Sequence, residues 1–129
     1  MKRIILGLGV LLILAQNIFA YTDAWFDLQI SKETTELRKQ LYRCAKEAMN
    51  HNNSGNAEVC VKANKLMEQN GGFSNEDIAI GYLNTGILYE HSDKRKSYKY
   101  YFMATKLGNA NAKNNLVVMC LHNMWACKE

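Results

Sequence analysis

Apolar residues recur every three or four positions along most of this chain, the 129 residues contain no proline, and most such stretches end in asparagine or glycine. The first stripe carries Leu37, Leu41, Cys44, Ala45 and Ala48, and 51–56 (His-Asn-Asn-Ser-Gly-Asn) breaks it with residues that accept tight turns. Further stripes cover about 57–69, 74–89, 93–107 and 109–120. Ser74 ahead of Glu76 and Asp77 reads as a helix start, its hydroxyl accepting from a backbone N–H and the acids facing the positive end of the dipole. Gly71, Gly72 and Gly108 stand where helices should stop. The spacing therefore predicts an all-α chain of five helices, in one domain, joined by connections of a few residues as antiparallel hairpins.

The first twenty residues do not share this pattern. Met1-Lys2-Arg3 is cationic, 4–15 is apolar apart from Gly7 and Gly9, and Gln16 to Ala20 is more polar. This is the layout of a secretory signal peptide. Twelve apolar residues in a helix reach about 18 Å, short of the ~30 Å hydrocarbon core, so an uncleaved anchor is the weaker reading. The expected organisation is a signal peptide over 1–20, an extended segment over 21–32 holding Trp25, Phe26, Leu28 and Ile30, and a helical domain over 33–129. Loss of Lys2 and Arg3 lowers the formal charge from +4 to +2, which argues against a nucleic-acid partner. What basic character remains is local: Lys94, Arg95, Lys96, Lys99, Lys106 and Lys113 face only Asp93, either as a solvated helix face or as a surface for an acidic partner.

An exported chain with four cysteines reads first as carrying disulfides, in one of three pairings. Residue 52, midway between Cys44 and Cys60, falls inside the Asn-rich turn, so the two lie level on the arms of one hairpin. This favours Cys44–Cys60 and leaves Cys120–Cys127 to tie the tail to the last helix. Closing about 15 residues contributes ~3 kcal/mol on the chain-entropy account. Two competing uses are weaker. Cys120, His122 and Cys127 match no familiar zinc spacing, and Cys120 with His122 or Cys44 with His51 would need a thiolate that oxidation removes. No phosphate loop, nucleophile elbow or metalloprotease motif is present, and no cofactor is expected.

A repeat is also visible. Thr85-Gly86-Ile87-Leu88-Tyr89 and Leu116-Val117-Val118-Met119-Cys120 stand 31 residues apart, with Gly81 and Ala112 in matching places ahead of them. The stretch 95–116, with Tyr100-Tyr101, Ala104 and Gly108-Asn109-Ala110-Asn111-Ala112, resembles the Sel-one-like repeat, a relative of the tetratricopeptide repeat. The resemblance covers 81–120. Gly86, Ala104 and Ala112 are the small residues that let backbones approach, and Tyr98, Tyr100, Tyr101 and Phe102 are expected between helices. Departures are the short loop His91-Ser92-Asp93, Val117 in place of a packing glycine, and Cys120 in place of a tyrosine. The resemblance implies a short α-solenoid of about two and a half antiparallel hairpins, stapled by its disulfides.

By the same resemblance, the first helix of each hairpin lines a concave binding face, here Ile80, Leu83, Ile87 and Glu90 with Asn111, Asn114 and Val118. The function expected is a non-catalytic, exported module of the bacterial envelope, periplasmic or secreted, that binds a protein or peptide as an adaptor or immunity protein. It is expected to be a monomer or weak dimer without a membrane span. The alternative is enzymatic, since cysteine-rich exported members of the repeat family are linked to penicillin binding and β-lactam hydrolysis. Glu90 is the residue such a reading would lean on.

Overall fold

A computed structural model describes residues 22–128 of the chain, so the expected signal peptide lies outside the described residues. Among them six α-helices follow in order: α1 (Asp23–Lys32), α2 (Glu36–Lys46), α3 (Ala57–Asn70), α4 (Asn75–Tyr89), α5 (Lys94–Lys106) and α6 (Ala110–His122). A π-helical turn (Glu47–His51) and a 3-10 turn (Asn52–Ser54) continue α2, and a 3-10 segment (Met124–Lys128) follows α6. Each helix packs antiparallel on the one before it.

Local chemistry starts every helix in the same way. Thr22, Thr35, Asn56, Ser74, Asp93 and Asn109 each precede one helix, and each side chain accepts a hydrogen bond from a backbone N–H of its first turn. Such caps satisfy donors that a helix end otherwise leaves open. Gly108 has φ 93°, a left-handed geometry that only glycine adopts without strain, and it turns the chain from α5 into α6.

One expected element is different. Residues 23–32 form a helix rather than an extended segment. Thr22 caps it, Phe26 is fully buried in the first core, and Trp25 packs edge-on against Phe26 and Tyr42. Asp23 accepts from the Asn50 amide at 3.0 Å and pairs with His51 at 2.9 Å, and Asp27 pairs with Lys46 at 2.8 Å. These contacts to α2 and its π-helical extension hold the helix. Its own apolar residues do not form one stripe, and Leu28 is half exposed.

The core has two lobes. Phe26, Leu41, Ala45, Ala63, Met67 and Leu88 are among the buried residues of the first, and Leu83, Tyr101, Ala104, Ala112, Met119 and Ala126 fill the second. Helix α4 belongs to both, and it is buried along most of its length. It can be because a Cβ at Gly81 would stand 2.4 Å from Asn64 Oδ1, and one at Gly86 would stand 2.5 Å from the ring of Tyr101, so neither position has room for a methyl. At the first contact, Asn64 Nδ2 donates to Thr85 Oγ1 at 2.8 Å, and that hydroxyl donates to Gly81 O. At the second, Ser97 Oγ donates to Gly86 O at 2.7 Å.

Both expected disulfides are present. Cys44–Cys60 joins α2 to α3 with no exposure of either residue, whereas Cys120–Cys127 joins α6 to the 3-10 segment with Cys127 exposed.

Two outcomes follow from this packing. Alanine at Gly86 should lower stability in urea by about 1–3 kcal/mol, although helix propensity alone would give a gain of about 1 kcal/mol; an unchanged or raised midpoint would contradict the close approach to Tyr101. Under native conditions a reductant should open Cys120–Cys127 well before Cys44–Cys60, as read by timed alkylation and peptide mapping. Removing the buried bridge by paired Cys→Ala substitution should then cost about 3 kcal/mol.

Candidate functional site: a basic-rimmed apolar groove

The seven concave-face residues differ in exposure. Leu83 is 5% exposed and belongs to the second core, so it is not available to a partner. Ile80 packs against the first lobe and Ile87 against the second. Glu90 accepts the hydroxyl of the fully buried Tyr101 at 3.0 Å, so its carboxylate is already engaged in the fold. On α6, by contrast, Asn111, Asn114 and Val118 are exposed, Val118 by 52%.

The tyrosine–carboxylate contact recurs. Tyr82 donates to Glu68 at 2.5 Å and Tyr89 to Glu58 at 2.9 Å, linking α4 to α3 as Tyr101 links α5 to the end of α4. Tyr100 fills the space between the first two, stacked on Tyr89 at 6.0 Å and tilted against Tyr82 at 6.1 Å. Burial and the nearby carboxylate push the Tyr89 phenol up to about 12, and the same two causes raise Tyr82 and Tyr101. These phenols hold the helices together as neutral donors.

A different surface is open. Between α5 and α6 runs a groove of about 330 Å³ whose lining includes Tyr98, Phe102, Leu116, Val117 and Leu121, with the Cys120–Cys127 bridge alongside. Val117 is 55% exposed, Leu121 76%, and the adjoining Met124 85%. Of the four aromatics expected between helices, Tyr101 is buried and Tyr100 packs on the first lobe, while Tyr98 and Phe102 line this groove, stacked at 6.1 Å and 9°. Trp125 meets Tyr98 edge-on at 5.5 Å.

Cations border the groove. Arg95 lies over the Trp125 ring at 4.2 Å, Lys106 over Phe102 at 5.3 Å, and Lys113 is part of the lining. Residues 94–127 hold six Lys and Arg and no Asp or Glu, whereas 22–93 hold seven against eleven acids. Among the described residues the ion pairs, such as Arg38–Glu33 at 3.0 Å and Lys46–Asp27 at 2.8 Å, all fall in that first part. A second depression, against α1, α2 and α3, shows the contrast. Its Asp27, Arg43, Lys46 and Glu47 bring both signs of charge, and Lys46 and Asp27 pair with each other.

The cysteines offer no thiolate: all four are in disulfides, so neither a Cys-His nucleophile nor the Cys120, His122 and Cys127 set can form in this oxidised state. Among the described residues there is no group of three potential metal ligands, and no helix is long and apolar enough to cross a membrane.

The chain matches no family model, no curated protein and no solved structure.

The phenols set a pH limit. Each is neutral in the fold and ionises more readily once unfolded, so their stabilisation is full below the ordinary phenol value of 10.0 and is lost as pH rises towards about 12. Alkaline titration should show tyrosinate absorbance and loss of helical circular dichroism rising together above pH ~10, and Tyr89→Phe should delay that loss. Tyrosinate appearing at its ordinary pH with helicity intact would contradict it.

Proposed function

We propose that this chain is a non-catalytic binding module that works outside the cytoplasm, in the bacterial envelope or beyond it, and takes a protein or peptide partner. The observation that carries the reading is the α5–α6 groove, where several large apolar side chains remain exposed together. Scattered exposed apolar residues need no explanation, but a contiguous set lining a concavity marks an interaction site. Two disulfides belong to a protein of an oxidising compartment, and the cationic, then apolar, N-terminus supports export.

The Sel-one-like resemblance over 81–120 supports the same role and makes the helix pairs units of a short α-solenoid of about two and a half hairpins. The close contact at Gly86 and the full burial of Ala104 and Ala112 agree with that pattern. The binding face differs from the one the repeat alone suggests. Of the concave set, the α6 residues Asn111, Asn114 and Val118 lie on the helix that forms one wall of the groove, while the α4 residues serve the core. Rigid helices lose little entropy on binding, so such a surface suffices for an adaptor or for an immunity protein that neutralises a toxin by occupancy.

Photo-crosslinking in cells tests this. A photoreactive residue at Val117 or Val118 should give a discrete adduct identifiable by mass spectrometry, and one at exposed Asn75 on α4 should not. Equal labelling from all three positions, or no adduct from any, would remove the reading.

A further inference from the structure

We propose that the α5–α6 groove receives an amphipathic helix carrying acidic residues beside its apolar face, contributed by a partner protein. The proposal rests on the binding-module reading above and adds the partner's chemistry. Three observations carry it.

Charge is the first. Arg95 precedes the groove's α5 wall by one turn, Lys106 follows Phe102 by one turn, and Lys113 enters from α6, so cations border the apolar floor at both ends. None of the three has an ion-pair partner among the described residues, and no Asp or Glu occurs from 94 to 127. An acidic partner would supply the missing sign and be steered to this end of the molecule, while the acid-rich 22–93 part would repel it elsewhere.

Backbone chemistry is the second. The walls are two helices whose own N–H and C=O groups are paired, and the lining is mostly hydrocarbon and aromatic ring. An extended peptide laid there would bury backbone groups with nothing to bond. A helix arrives with them satisfied.

Shape is the third. From Tyr98 to Thr105 the α5 wall is about 10 Å long at ~1.5 Å per residue, which matches two turns of a guest presenting apolar side chains at i, i+3 or i+4, and i+7. A flat lipid surface rewards protruding apolar groups and leaves a concavity unfilled. A guest helix fills it.

The probe is a peptide of about 18 residues with leucines on one helical stripe and glutamates elsewhere, compared with its lysine-for-glutamate counterpart and with phosphatidylcholine vesicles holding about 30% phosphatidylglycerol. Calorimetry on the oxidised protein should show the acidic peptide binding at least about tenfold more tightly than the basic one, with affinity falling as salt rises. Amide shift changes should centre on Phe102, Lys106, Lys113, Val117 and Leu121. K106E/K113E should weaken binding about tenfold, and so should L121D, which leaves the helical circular dichroism intact because Leu121 is 76% exposed. K65E, a reversal on exposed α3 surface, should change affinity little.

Equal affinity for both peptides, shifts centred on α2 and α3, vesicle binding without peptide binding, or self-association occupying the same residues would each overturn the proposal. If the acidic peptide fails while Val117 still crosslinks to a discrete partner in cells, the module reading stands and the acidic-helix class falls. If neither occurs, both fall.

Discussion

Helix α4 is approached so closely from both sides that a single methyl group would not fit, and the rest of the molecule depends on that. Gly81 brings α3 onto it and Gly86 brings the Tyr101 ring of α5 onto it. Side chains meet the glycine backbone there, and hydrogen bonds form on site: Asn64 to Thr85, Thr85 to Gly81, Ser97 to Gly86. Small residues at the contact and hydrogen bonds across it set the register of three helices. The two core lobes then fill with ordinary apolar side chains, α2 and α6 dock on the central three, and α1 docks on α2.

The same arrangement decides which side chains are left for other purposes. Carboxylates on α3 and at the end of α4 are taken up by tyrosine hydroxyls, and those near α1 and α2 pair with lysine, arginine, asparagine or histidine. Beyond Asp93 the chain carries no acid until Glu129, and three cations of α5, Arg95, Lys96 and Lys106, lie over aromatic rings instead. The unequal charge is therefore a property of folded surfaces as well as of sequence, and it coincides with the exposed apolar groove.

Much of this was legible in the residues. Ser74 announced its helix through capping chemistry, Gly108 announced the turn, and the midpoint between Cys44 and Cys60 announced their bridge, because each signal acts over a few residues or across one hairpin. Tertiary facts were less so. Helix α1 is held by Asn50, His51 and Lys46 about twenty residues and more away, although Thr22 ahead of Asp23 was a capping signal that could have been read. Leu83 and Glu90 were assigned to a binding face by their place in a repeat, yet whether a helix face meets solvent depends on its neighbours. The groove was missed because Phe102 and Leu121 sit at ordinary helical spacing. The absence of acids from 94 to 128, a signal in plain view, pointed to the right end of the chain.

The two bridges join neighbours in chain order, Cys44 with Cys60 and Cys120 with Cys127, without overlap. A chain oxidised progressively from its N-terminus offers Cys44 one choice when Cys60 appears, and the second pair meets only after the first is closed. Disulfide reshuffling, a slow step of seconds to hours in proteins with interleaved bridges, is then unnecessary. On such a route correct pairing follows order of arrival, and the last bridge to form is the one alongside the groove.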